Sequence, residues 1–193
     1  MPEESGNLRK YRNKNPLLQI LIKKFIKSIH AYIYSLDVDY ILDAGCGEGI
    51  IMKSLHGRNL CGIDISTKAI ALAKEMNPGS NVFCGTLYSL PFKDESFDLI
   101  LSIETLEHLY APENALRELK RVTKKYCIVS VPNEPFFCMM NLLRGKNISR
   151  LGNDVEHLQK WGRTDLCRLI EPYFEIVDVK TPFPWIVVLC KKK

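Results

Sequence analysis

The stretch Ile41-Leu42-Asp43-Ala44-Gly45-Cys46-Gly47-Glu48-Gly49 restricts this chain more than any other feature. A short apolar run ends in an acidic residue and breaks at once into three alternate glycines, after which residues 50–56 carry helical spacing. Glycine lets a backbone turn sharply and approach a ligand with no Cβ in the way. The order strand, glycine turn, helix therefore belongs to an α/β sheet with a ligand crevice at the carboxyl end of its first strand. The rest of the chain repeats the alternation. Strands are expected over 40–43, 60–64, 81–84, 97–102 and 126–131, and helices near 50–56, 67–75 and 112–121. The last of these helices carries Ala115, Leu116, Leu119 and Val122 at core spacing. Thr164 is expected to N-cap a helix through Leu169. Two final strands, 174–180 and 185–190, are joined through Pro182 and Pro184 by a connection too short for a crossover, which makes them an antiparallel hairpin. The expected fold is a doubly wound α/β sheet of seven strands, mostly parallel, with an antiparallel last strand.

At 193 residues and 46% hydrophobic content the chain fits one domain able to bury a core. Residues 1–15 read as a polar, flexible tail without the apolar run of a secretory signal, and 16–193 as the domain. It opens with a helix over 16–36, where Leu17, Ile20, Leu21, Phe25, Ile29 and Tyr32 recur at helical spacing and Gln19, Lys23, Lys24 and Lys27 occupy other faces. Such a helix suits packing on the sheet, a lid over the crevice, or peripheral contact of its basic face (17–35) with an anionic membrane. Its apolar residues occupy too much of the circumference for a purely interfacial helix. An irregular, partly apolar stretch over about 134–162 is too long for a simple loop and is expected to form a cap over the substrate.

The formal charge of +5 sits at the ends. Residues 1–30 carry +5 and Lys191–Lys193 carry +3, which leaves 31–190 at −3. A slightly acidic body lacks the clustered cations that a phosphate-tracking groove requires, so nucleic acid is disfavoured as a partner. Seven cysteines without a C-x-x-C pair, in strand-like apolar settings, fit buried reduced thiols rather than disulfides or zinc ligands. With no run of about eighteen apolar residues to span a bilayer, a soluble, cytoplasmic protein is expected.

Charge also sorts the ligands of the crevice. A dinucleotide fingerprint reads G-x-G-x-x-G and offers a helix N-terminus to a pyrophosphate, whereas the spacing here is G-x-G-x-G, with Ile50 where the third glycine of that fingerprint would stand. Asp43 and Glu48 would sit beside the anion and repel it, while a ligand carrying an ammonium and a sulfonium would gain from the same carboxylates. Asp64 ends the next strand about twenty residues on, the position from which a carboxylate takes ribose hydroxyls.

Four ordered blocks, ILDAGCGEG, CGIDIS, LPFKDESFDLILSIETLEHL and ALRELKRV...IVSVPN, together resemble the class I S-adenosylmethionine-dependent methyltransferases, in the broad group that holds small-molecule and quinone enzymes. The resemblance is strong over 40–131 and loose elsewhere, and it implies a Rossmann-like methyltransferase fold, S-adenosylmethionine as cofactor with S-adenosylhomocysteine as product, no metal, and a small-molecule acceptor. By resemblance the loop of Asp43, Gly45, Cys46 and Gly47 holds the methionine part, Asp64 takes the ribose diol, Ile65 packs on adenine, and Ser102 and Ile103 line the methionine side. Where the family normally reads G-D-A after the third strand this chain reads Gly85-Thr86-Leu87, so Thr86 and Leu87 replace the usual adenine contacts through a hydroxyl and an apolar surface.

Methyl transfer from a sulfonium is an in-line displacement, and the enzyme's main task is alignment and exclusion of water. A base is needed only when the acceptor must lose a proton. His108, Glu107 and Glu104, just past the fourth strand, are the candidates: His108 as base, Glu107 orienting it or acting beside it, Glu104 next. Glu107 and His108 equally suit bracing of the following helix. His157 and Trp161 are read as closing over the substrate, and Phe136, Phe137, Met139, Met140, Leu142 and Leu143 as core or as an apolar acceptor pocket. Three rivals stand beside this reading. An RNA methyltransferase is one, although Ser102-Ile103-Glu104-Thr105 replaces the Asn/Asp-Pro-Pro-aromatic block of exocyclic-amine enzymes, and Pro132-Asn133-Glu134-Pro135 follows the wrong strand. The others are a cofactor-binding regulatory subunit without catalysis and an NAD-dependent dehydrogenase. Acceptor identity and oligomeric state are not encoded in any of these features.

Overall fold

In the computed structural model, which describes residues 11, 13–55, 57–134, 136 and 158–193, the apolar runs become seven strands. These are β1 (Tyr40–Ala44), β2 (Asn59–Asp64), β3 (Asn81–Cys84), β4 (Phe97–Ile103), β5 (Thr123–Pro132), β6 (Phe174–Lys180) and β7 (Trp185–Lys192). They form one sheet in the order β3-β2-β1-β4-β5-β7-β6. β1 pairs in parallel with β2 and β4, β2 with β3, and β4 with β5; β7 runs antiparallel to both β5 and β6. The order reverses between β2 and β4 around β1, and that reversal opens the crevice in which sheets of this kind bind ligands.

Among the described residues five helices, α1 (Pro16–Ile33), α2 (Ile50–Lys53), α3 (Thr67–Met76), α4 (Pro112–Val122) and α5 (Arg163–Ile170), cover the two faces. Along β4, Leu99, Leu101 and Ile103 pack with α1, α2 and α3, while Ile100 packs with α4 and α5. A central parallel strand is buried on both sides and so reads as an unbroken apolar run, with successive side chains sent to opposite layers. Arg121 of α4 ties down the loop that precedes β4: its guanidinium donates to the carbonyls of Leu90 (2.9 Å) and Phe92 (2.7 Å) and pairs with Asp94 and Glu118 at 2.8 Å.

α1 begins where Asn15 accepts hydrogen bonds from the backbone of Leu17 and Leu18, with Pro16 in the first turn. Its inner face is Leu18, Ile22, Phe25, Ile29 and Tyr32. The expectation that Leu17 and Ile20 share that face is corrected: both are exposed, because a stripe stepping by four and three from Leu18 leaves them on the outside, near Lys23 and Lys24. Residues 34–36, counted into the helix from sequence, form its terminal turn. α5 starts at Arg163 with Gly162 as its cap and no side-chain capping bond, so Thr164 lies inside the first turn; the carbonyl of Gly162 already receives the Leu166 N–H at 3.0 Å. β5 and β7 outrun their expected ends because ladder bonding carries them through polar residues, from Pro132↔Trp185 to Tyr126↔Lys191.

Cys46, Cys61, Cys127 and Cys190 are buried and free, as expected, but Cys84 is exposed, since β3 is an edge strand with no neighbour to cover it. Cys138 lies outside the described residues. Among the described residues no helix is long and apolar enough to cross a membrane. The flanks of the expected cap are anchored at the carboxyl edge of the sheet. The Glu134 N–H donates to the Trp161 carbonyl (3.3 Å), and the Leu158 and Gln159 N–H groups both donate to the Glu107 carbonyl (2.9 and 3.1 Å).

Candidate active site

The glycine turn leaves β1 with Gly45 at φ 85, Gly47 at φ 51 and Gly49 at φ 74, all in the left-handed region. The Ile63 carbonyl at the end of β2 accepts both Gly45 N–H (2.8 Å) and Cys46 N–H (3.0 Å), which holds the turn against the neighbouring strand. Buried Asn77 of the α3 terminus donates to the Gly49 carbonyl at 3.1 Å and fixes the far side. Asp64 completes the cradle, with one carboxylate oxygen accepting Gly47 N–H at 2.9 Å and the other accepting Ser66 N–H at 2.8 Å. Both bonds aim a half-buried carboxylate from the end of β2 across the mouth of the turn.

Above the turn lies an open cleft lined by Tyr11, Asp43, Gly45, Cys46, Gly47, Glu48, Ile50, Ile51, Ile103 and Glu104. Its walls are acidic. Asp43 is buried at the end of β1, and its Oδ2 has no hydrogen-bond partner among the described residues. Burial, and then the nearby Asp64 carboxylate, raise its carboxyl from 3.8 to about 7. Burial and the same two carboxylates push the Cys46 thiol well above its usual range, so that sulfur is no nucleophile here. The Tyr11 hydroxyl is also pushed up, by burial first and then by Glu104, Asp43 and Glu48.

Six of the expected site residues thus meet at one cleft: Asp43, Gly45, Cys46, Gly47, Ile103 and Glu104. Asp64 is joined to it through Gly47. Ile65, next to Asp64, is 73% exposed and offers an open apolar surface beside that carboxylate. Thr86 is half-buried, its hydroxyl oxygen accepting Tyr88 N–H at 3.2 Å. Leu87 instead turns inward, 5% exposed, into the cluster beneath α4, because the turn after β3 must cover Leu90 and Phe97. Ser102 is fully buried in β4, and its hydroxyl has no partner among the described residues. Glu107 and His108 belong to a single 3-10 turn (Leu106–His108) after β4. The Glu107 side chain is 1% exposed and its carbonyl carries the returning cap segment, so bracing is what its backbone does; His108 is half-buried. His157 and the residues Phe137, Met139, Met140, Leu142 and Leu143 lie outside the described residues. Trp161 is half-buried against the α4 and α5 layer.

Tyr11 escaped the sequence reading because it stands in a stretch whose polarity signals a tail; the one available sign was an aromatic among basic and amide residues. Residues 13–15 are likewise engaged, with Gln19 donating to the Tyr11 and Asn13 carbonyls. Among the described residues no group of three or more His, Cys, Asp or Glu is arranged to hold a metal ion.

A glycine floor, a buried carboxylate oxygen short of a donor among the described residues and a second carboxylate held at the end of β2 fit a cationic nucleoside ligand. Residues 42–130 match the family model described as a methyltransferase domain. Together with its relatives, that match supports a class I S-adenosylmethionine-dependent methyltransferase domain over those residues. A probable S-adenosylmethionine-dependent methyltransferase of Mycobacterium tuberculosis is 31% identical over 101 residues, 50% of this chain and 37% of that protein. Norajmaline N-methyltransferase of Rauvolfia serpentina is 34% identical over 91 residues, 42% of this chain and 31% of its own. The fold of the chain matches that of magnesium protoporphyrin IX methyltransferase of Synechocystis, solved with bound S-adenosylhomocysteine, at a TM-score of 0.73 and 17% identity over 96% of this chain and 92% of that one. The chain spans little more than a third of the length of several curated relatives it matches: 38%, 36% and 37%.

Proposed function

We propose that this chain transfers a methyl group from S-adenosylmethionine to a small acceptor with an apolar body. The observation that carries the reading is the buried Asp43 carboxylate above the glycine turn, with an oxygen open to a donor, in a cleft whose other charged walls are Glu48 and Glu104. A dinucleotide would bring phosphate into that field; the methionine end of the donor brings an ammonium. Asp43 and the loop backbone at Gly45 and Gly47 hold the methionine part, Asp64 the ribose hydroxyls, and Ile65 and Thr86 the adenine. The donor, when bound, supplies an activated methyl on sulfur; the chain's residues orient it, exclude water and, where the acceptor must lose a proton, accept it. Calorimetric titration with S-adenosylhomocysteine, with NAD as the control, tests the reading directly: binding of the dinucleotide alone, or of neither, would sink it.

Asp64→Ala is expected to weaken S-adenosylhomocysteine binding by about 1–3 kcal/mol, through loss of charge-assisted hydrogen bonds and of the anchor on Gly47. Unchanged affinity in the same titration removes Asp64 from the ribose contact.

On the acceptor side, Phe136 and Phe183 present partly exposed rings in edge contact at 5.6 Å, beside the carboxyl edge of β5. They favour an apolar acceptor, in keeping with norajmaline in the name of one relative and magnesium protoporphyrin IX in that of one structural neighbour. His108 serves as the proton acceptor, with the buried Glu107 holding its turn in place. His108→Ala is expected to leave S-adenosylhomocysteine affinity within about twofold while turnover on the best acceptor of a phenol, quinol and amine panel falls at least about a hundredfold. Wild-type turnover would strike His108 from the list.

A further inference from the structure

Strand alternation sends the side chain that follows Ile103 to the α4 side of the sheet, yet Glu104 reaches the α1 side. Its backbone leaves the extended region for the left-handed one, at φ 52, which a residue with a Cβ adopts only when its surroundings hold it there. Two neighbours do so. The Glu104 N–H donates to the Ser130 carbonyl at 2.9 Å and hydroxyl at 3.3 Å on β5, and the Trp185 indole N–H donates to Glu104 Oε1 at 2.6 Å. Trp185 begins β7 opposite Pro132, is buried, and stacks on Phe25 of α1 with ring centroids 4.6 Å apart.

An indole N–H removed from water requires an acceptor, and a carboxylate is a strong one. Phenylalanine would fill most of the same space and fix nothing. Glu104, held in this way, lines the same cleft as Asp43. The sheet order decides which part of a ligand it meets. β2, with Asp64, flanks β1 on one side, and β4, with Glu104, flanks it on the other. A nucleoside seated on the β2 side therefore turns its sulfur toward β4.

We propose that Trp185 is a positioning residue, whose indole holds the Glu104 carboxylate facing the methyl-transfer point while Phe25 braces the indole and makes α1 part of the site. This rests on the donor-binding reading above. A carboxylate so placed favours positive charge at the reacting centre and is indifferent to a neutral sulfur.

Two ligands separate these cases: S-adenosylhomocysteine, uncharged at sulfur, and sinefungin, in which a carbon bearing an ammonium replaces the methylsulfonium. Both are titrated into the wild-type chain, Glu104→Gln and Trp185→Phe. The preference for sinefungin is expected to fall about tenfold in Glu104→Gln and about threefold in Trp185→Phe, with S-adenosylhomocysteine affinity held within about twofold. An unchanged preference in Glu104→Gln overturns the proposal while leaving the donor reading intact; a wild-type chain that binds neither ligand overturns both. Should Trp185→Phe fail to fold, Trp161→Phe leaves Trp185 as the sole tryptophan of the two. Its indole proton is then expected downfield and slow to exchange, and to move upfield on Glu104→Gln. A resonance that ignores that substitution overturns the contact itself.

Discussion

Gly45→Ala is expected to cost the folded chain about 2–5 kcal/mol, from about 1–2 for a left-handed residue bearing a Cβ and about 1–3 for overpacking. The collision is specific. A Cβ at Gly45 would stand 2.3 Å from Thr105 Cγ2, 2.4 Å from its Oγ1 and 2.9 Å from its Cβ. Thr105 cannot swing aside cheaply, because it is buried, β-branched and bonded through its hydroxyl to the Ile103 carbonyl at 3.1 Å. Urea unfolding of Gly45→Ala should show a much lower midpoint, and adding Thr105→Ala should recover part of the loss by removing the two closest contacts. Gly47→Ala is the control: nothing lies within 4 Å of its Cβ, so it should lose only about 1–2 kcal/mol of stability for its backbone angle. An unaltered midpoint in Gly45→Ala would mean that Thr105 does not seal the turn.

Strand and helix alternation was legible because each central strand is mostly apolar and has an acidic residue at or near its crevice end: Asp43, Asp64, and Glu104 just beyond Ile103. That pattern reflects burial on two faces, which any sequence must obey. The glycine turn and the acids around the cleft were legible for the same reason, since loop glycines and strand-end acids are local signals. What escaped depends on contacts between distant residues. Trp185 meets Glu104 across 81 positions, and the left-handed turn at Glu104 that makes the meeting feasible has no signature in a run such as Ile103-Glu104-Thr105. Tyr11 joins the cleft from a segment whose composition is that of a tail. Leu87, apolar and next to the half-buried Thr86, had two apolar destinations, and packing under α4 won over the cleft. Glu107 and Glu104 look equivalent three residues apart, yet a single 3-10 turn buries one and leaves the other on the cleft wall.

Asp43 makes the second large effect one of pH. In the free protein its carboxyl titrates near 7 rather than 3.8, so the folded state binds that proton more tightly than the unfolded chain. The group therefore contributes stability below pH 4 that is lost as pH rises toward 7, and the loss levels off above it. A donor ammonium at Asp43 reverses the preference, because it favours the carboxylate and expels the proton. S-adenosylhomocysteine should accordingly bind about tenfold more weakly at pH 6 than at pH 8, with close to one proton released per ligand at pH 6. Calorimetry in buffers of different ionisation enthalpy measures both quantities. Asp43→Asn keeps the shape and removes the charge, so it should flatten the pH dependence and lower affinity at pH 8 by about 1.5–3 kcal/mol. The same substitution should make the free protein more stable above pH 7, where the wild type carries a buried charge with no counterion among the described residues. Opposite movements of stability and affinity in one variant are what a site built to receive a cation requires. A flat wild-type profile, or an Asp43→Asn chain that binds as tightly as its parent, would show that the ammonium is held elsewhere.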